Sequence, residues 1–166
     1  MRMMAMGMMG GNKPFDSGLL INGDFETAGL GGADIFSGWT ESVLEGSIQD
    51  ETALLYQGKH ACKITSGASL VDYVFQVFTV IPGDEYTLSG MARGNGTSAP
   101  RYAVRDQIST LYIVDKTAAV SAAASYQAWS KDFLVPAGCT SMSIRLYGPA
   151  TNGAAGWYDN VSLKKK

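Results

Sequence analysis

Two carboxylates near opposite ends of the chain, Glu26 and Asp159, stand beside aromatic residues in segments of similar make-up, Leu19-Leu20-Ile21-Asn22-Gly23-Asp24-Phe25-Glu26 and Gly156-Trp157-Tyr158-Asp159-Asn160-Val161-Ser162-Leu163. Both segments read as strands. If the first and last strands meet, the two acids share one place, where like charges call for a cation or a hydrogen-bond network. Catalytic chemistry has no comparable constellation. His60 is the single histidine, and neither a Gly-x-Ser-x-Gly elbow nor a phosphate-cradling glycine loop occurs. The acids Asp50, Glu51, Asp84, Glu85 and Asp106 fall mostly near expected strand ends and turns, not as a pair flanking a bond. The chain is therefore expected not to be an enzyme.

The elements that would position these residues are short apolar strands cut by Gly and Pro. Residues 71–80 are dense in β-branched and aromatic side chains, Ile81-Pro82-Gly83-Asp84 has the Pro and Gly of a type II turn, and residues 85–93 return. On the return, Tyr86, Leu88 and Gly90 face one side and Thr87, Ser89 and Met91 the other, which means a sheet with one dry face. Residues 29–38 read as a glycine-rich loop, and strands are expected at 39–44, 60–65, 101–106, 111–114, 127–135 and 140–147. In the last of these Met142, Ile144 and Leu146 alternate with Ser143, Arg145 and Tyr147. The alanine-rich stretch 117–125 reads either as a short helix or as a loop. Nine or ten strands at this spacing predict an all-β, two-sheet antiparallel sandwich.

Composition agrees. A chain of 166 residues fits one domain with an appendage, and 17% charged residues with 20 glycines suit a turn-rich β domain. The net charge is −2 and the only concentrated basic run is Lys164-Lys165-Lys166, so nucleic acid is not an expected partner. No stretch approaches the roughly 18 apolar residues of a membrane span. Cys62 and Cys139 are too few for a disulfide scaffold and read as buried free thiols.

The motifs Asn22-Gly23-Asp24-Phe25-Glu26, Gly38-Trp39, Gln76-Val77-Phe78-Thr79-Val80-Ile81-Pro82-Gly83-Asp84-Glu85-Tyr86-Thr87-Leu88 and Tyr158-Asp159-Asn160-Val161-Ser162-Leu163 resemble, in order, the framework of jelly-roll carbohydrate-binding modules of the family 4/9 type. The resemblance covers roughly residues 18–164. It implies a calcium ion where the terminal strands meet, with Glu26 and Asp159 as its carboxylates. A cation-free hydrogen-bond cluster is the alternative. It also implies a glycan groove across a concave sheet. Sugars present flat C–H faces rimmed by hydroxyls, so they call for aromatic platforms and hydrogen-bonding side chains. Arg101, Arg105, Arg145 and Tyr147 on outward positions, with Tyr102, Tyr112 and Trp129 on or beside the sheet, are the ligand-binding candidates. Trp39 and Trp157 match framework aromatics of the core, and Gln76 reads as a satisfied core amide.

Residues 1–17 differ from the rest. They hold six of the eight methionines, and with Gly7, Gly10 and Gly11 they read as an extended docking arm. Met3, Met4, Met6, Met8, Met9 and Phe15 would seat it on another chain, with a homotrimeric or higher assembly around it. Residues 18–164 form the jelly roll and residues 165–166 a basic tail. With no export signal read at the start, this design suits a phage virion surface, where the arm holds a capsid or tail protein and the module projects outward. The alternatives are a purely structural decoration protein without sugar affinity, and a stand-alone module of a bacterial glycoside hydrolase system that is extracellular after release.

Overall fold

The computed structural model describes residues 15–69 and 71–166. Twelve strands are present: β1 (Ala28–Gly31), β2 (Asp34–Phe36), β3 (Thr40–Ser42), β4 (Ser47–Glu51), β5 (Ala61–Thr65), β6 (Tyr73–Thr79), β7 (Glu85–Arg93), β8 (Arg101–Asp106), β9 (Tyr112–Ala118), β10 (Gln127–Leu134), β11 (Ser141–Tyr147) and β12 (Ala155–Lys165). A first sheet has the order β10-β7-β12-β5-β4 and a second the order β3-β6-β11-β8-β9, while β1 and β2 form a small hairpin. Every strand pair is antiparallel. The two sheets bury one core between them, so the molecule is an all-β jelly-roll sandwich, as its alternation predicts. From β11 the core takes Met142, Ile144 and Leu146, and from β7 it takes Tyr86, Leu88 and Ala92. The Pro82-Gly83 turn forms as expected, with Gly83 at a φ of 89° and the Asp84 N–H donating to the Ile81 carbonyl. Cys62 and Cys139 are buried free thiols.

Three local expectations are corrected, and one open reading is decided. Residues 19–26 are not a strand. Asn22 and Phe25 take positive φ, and the Asn22 amide bonds Thr27 and Ser37, so the segment turns instead of extending. It still lies beside β12, through N–H bonds from Leu19 to Leu163 O and from Val161 to Gly23 O. The glycine-rich loop contains the β1-β2 hairpin. Of the two readings of the alanine-rich stretch 117–125 the loop holds, since β9 ends at Ala118 and no helix follows among the described residues. The basic end is no tail: Lys165 belongs to β12, and Lys164, Lys165 and Lys166 pair with Asp16, Asp84 and Asp132.

The arm candidates Met3, Met4, Met6, Met8 and Met9 lie outside the described residues. Residues 16–18 are tied to the sandwich, because Ser17 O accepts the Leu163 N–H and Asp16 pairs with Lys164. Gln76 is the satisfied core amide its position predicts, exchanging two hydrogen bonds with the Ile21 backbone at 2.7 and 3.1 Å.

One side chain joins the sheets by hydrogen bonding. Tyr158, fully buried on β12, directs its hydroxyl at the Arg101 and Tyr147 carbonyls of the opposite sheet, the latter at 3.0 Å. Burial pushes its ionisation far up, so the hydroxyl keeps its proton and donates. Tyr158→Phe removes the hydroxyl's bonds to two carbonyls that keep each other's N–H in the ladder. The expected cost is about 1 kcal/mol, read as a lower denaturant midpoint with the β-sheet spectrum unchanged.

Candidate functional site

The outward face of the second sheet collects the side chains best suited to chemistry. Residues directly opposite on antiparallel strands share a face. The registers Tyr147↔Tyr73, Arg145↔Phe75, Tyr147↔Arg101, Arg145↔Ala103, Ser143↔Arg105 and Arg105↔Tyr112 therefore place all of these residues on one surface. The Arg145 guanidinium carbon lies 5.1 Å from the Tyr73 ring centre and 5.8 Å from that of Phe75, while Nε donates to Ser143 Oγ at 3.0 Å. Tyr147 packs against Tyr73 at 4.9 Å between ring centres, and Lys116 Nζ sits 4.9 Å over the Tyr147 ring. Burial holds the Tyr147 phenol well above its usual ionisation range, with Arg145 and Tyr112 as hydrogen-bonding neighbours. The result is a plate of rings and cations: Tyr147 is 2% exposed and Arg145 9%, so they form its base, whereas Tyr112 is 40% exposed.

Five of the seven ligand candidates are brought together here: Arg101, Arg105, Tyr112, Arg145 and Tyr147. Tyr102 and Trp129 are not. Tyr102 is opposite Leu146 on the core side, and Trp129, opposite Gly90, fills the space that residue leaves. Their rings stack across the sandwich at 4.5 Å, both buried, so they hold the sheets together and are corrected to core residues. Tyr73, Phe75 and Lys116 were missed. For Tyr73 and Phe75 the signal was present, since alternation through residues 73–79 separates them from inward Val74 and Gln76. Lys116 follows a register shift in β9 that no alternation rule foresees. Trp39 is core as expected, stacked on Phe25 at 5.2 Å. Trp157 is buried on the outer side of the first sheet instead, between Lys63 and Arg93, with its indole N–H donating to Glu51.

A pocket of about 360 Å³ on the first sheet is lined by Phe15, Tyr56, Ser89, Asn160 and Ser162, among others. Its one cation, Lys164, is paired with Asp16 at 2.9 Å, and the pocket shares no residue with the plate.

Glu26 and Asp159 do meet, through the loop that precedes β5. Glu26 Oε1 accepts the N–H groups of Lys59 and His60 at 2.7 and 3.0 Å, and Asp159 Oδ2 accepts those of Tyr56 and Gln57 at 3.2 and 3.0 Å. A bulge in β12, where Asn160 takes a φ of 47°, lets Asp159 turn to this loop, since Asn tolerates the left-handed region.

No protein-family model matches the chain, and no curated protein matches it. Solved structures do. A CBM4 structure superposes with a TM-score of 0.63 at 13% identity, covering 89% of this chain and 99% of that one. TmCBM61, solved with β-1,4-galactotriose, gives 0.62 at 16%, covering 87% and 96%. The fold is the jelly roll of carbohydrate-binding modules. The same jelly roll matches the tailspike protein 4 of bacteriophage CBA120 with a TM-score of 0.63 at 16% identity, covering 92% of this chain and 22% of the tailspike chain.

For a module of this fold the junction of terminal segments is where calcium is expected, and the donors present decide whether it fits. Calcium needs six to eight oxygens converging at about 2.3–2.6 Å. Here the two carboxylates face backbone N–H groups, Asn160 N–H takes Asp159 Oδ1 at 2.7 Å, and no cluster of three or more metal-ligating side chains exists among the described residues. These oxygens do not fit a calcium shell as they stand. Burial, with Glu26 nearby, raises the Asp159 pKa to about 6 against the pull of its N–H donors. The folded state thus binds this proton more tightly than the unfolded chain, and the group's contribution to stability declines as pH rises from about 4 to about 6. The Asp159 carboxyl carbon should titrate near pH 6 by NMR, with a midpoint unmoved by millimolar calcium. A calcium-dependent fall in that midpoint would establish the cation site instead.

Proposed function

We propose that this protein is a non-catalytic glycan-binding module that takes a saccharide across the outward face of its second sheet. One observation carries the reading: Tyr73, Phe75 and Tyr112 present ring surface on the same face as Arg101, Arg105 and Arg145, the pairing of apolar platform and hydrogen-bond donors that a sugar requires. The fold supports it, since TmCBM61 was solved with a galactotriose bound. We further propose display on a larger assembly, a phage capsid or tail, with residues 1–17 as the anchor. The likeness to a phage tailspike supports that setting, and the anchor rests on the methionine content of the segment.

The structural reading, a decoration protein without sugar affinity, is favoured by the burial of Tyr147 and Arg145 beneath their neighbours, which makes the face a filled plate and not an open groove. Binding separates the two. On an oligosaccharide panel, NMR shifts should concentrate at Tyr73, Phe75 and Tyr112, and Tyr73→Ala should weaken binding about tenfold, the equivalent of roughly 1.4 kcal/mol of aromatic contact. A panel without a binder would leave the structural reading in place.

A further inference from the structure

The charged side chains that β8 and β11 place on the outward face of the second sheet are all cations. Arg101, Arg105 and Arg145 are set by the registers of β8 and β11, and Lys116 by its position over Tyr147. Two of the three carboxylates of the second sheet's strands go elsewhere. Glu41 is opposite Val74 and accepts the Ile35 and Phe36 N–H groups. Asp106 is opposite Met142 and binds the 108–109 turn, while Asp115, exposed at the bulge of β9 beside Lys116, accepts its neighbour's N–H and is the one acid of these strands next to the cations. None of the four cations takes part in a salt bridge among the described residues, where the ion pairs belong to His60 and the C-terminal lysines.

The cations are also close together. Arg145 is opposite Ala103, so Arg101 and Arg105 are its two diagonal neighbours, about 7–8 Å away at Cβ. Arg101 and Arg105 are four residues apart on one strand, about 13 Å. Two acceptors on the face are already used. Ser143 Oγ takes bonds from both Arg145 and Gln107, and the Thr110 carbonyl takes Arg105 Nε. Arg101 Nε is buried without a hydrogen-bond partner among the described residues. Guanidinium and ammonium groups donate and never accept, so a ligand here must supply acceptors, and ionised acceptors bind such donors most strongly. A neutral sugar, whose hydroxyls both donate and accept, would leave this donor excess partly unused.

Resting on the glycan-binding reading above, we infer that the ligand of this face is an anionic saccharide, a chain bearing carboxylate or sulfate groups at more than one position within the span of the three arginines. The rings take the C–H faces of the sugars while the arginines and Lys116 take the anionic groups. The chain's overall charge of −2 does not oppose this, because recognition follows the local field of the face.

The test includes one pair of ligands, an oligomer and its methyl ester, that differ in the charge of the same chain. Titration calorimetry of the full-length protein would use oligogalacturonate, the same oligomer fully methyl-esterified, a sulfated galactan oligomer, and neutral xylohexaose. The expected result is binding of an acidic oligomer at least about tenfold tighter than of the esterified or neutral ones, weakened as salt rises from about 0.1 M to about 1 M and the Debye length shortens from about 10 Å to about 3 Å. Preference for the uronate or the sulfated arm identifies the anionic group. Arg105→Gln and Lys116→Gln, both outside the core, should lower affinity for the acidic oligomer by a larger factor than for the esterified one. Equal, salt-insensitive binding of acidic and esterified oligomers overturns the inference and leaves the glycan module standing. Absence of binding to every saccharide overturns both. Equal binding of a single-stranded oligonucleotide shows a face that reads charge alone, which overturns the saccharide class.

Discussion

The constraint on which the rest depends is the period-two alternation of β11, the central strand of the second sheet. Its inward residues Met142, Ile144 and Leu146 are fully buried against the first sheet. Its outward residues Ser143, Arg145 and Tyr147 are the middle row of the plate. A slip of one residue would send an arginine and a tyrosine into the core and three apolar side chains into water, so core burial itself fixes where the plate's side chains sit. The neighbours inherit that register. β6 must bring Tyr73 and Phe75 outward once Val74 is buried, and β8 must bring Arg101 and Arg105 outward once Tyr102 and Val104 are. Tyr158 locks the end of this arrangement from the opposite sheet by holding the Arg101 and Tyr147 carbonyls, which are paired in register.

What the sequence made legible follows from the same physics. β7 and β8 begin and end where alternation places them, because each buries one face against a continuous core. Residues 19–26 were misread as a strand because apolar content alone does not say whether backbone groups find a ladder. There the Asn22 side chain supplies the bonds a neighbouring strand would have supplied. Tyr102 and Trp129 were misplaced for a related reason: an aromatic residue is equally at home on a sugar platform and in a core, and only the pairing of Trp129 with Gly90 decides. Glu26 and Asp159 bind the same loop. Their partners could not be read, because backbone N–H groups of a loop carry no sequence signature.

Those partners reveal how the few charges of this chain are distributed. The carboxylates serve mostly as local staples for backbone N–H groups. Asp72, fully buried, accepts from Leu44, Glu45, Gly46 and Gly67, and Glu51 accepts from Ala53 and Leu54 as well as from the Trp157 indole. Glu26, Glu41 and Asp159 do the same in their own loops. A sandwich with many turns leaves many N–H groups outside its ladders, and a carboxylate satisfies two or more of them at once. Acids are thereby drawn to strand ends and loops. Guanidinium groups cannot accept an N–H bond, so they have no such role in the turns, and the arginines of the second sheet stay on its outward face, Arg145 over the rings of Tyr73 and Phe75. The segregation of charge that makes one face cationic on a slightly acidic protein thus has the same origin as the loops' stability: acids are consumed where the backbone needs acceptors, and the cations remain available to a ligand.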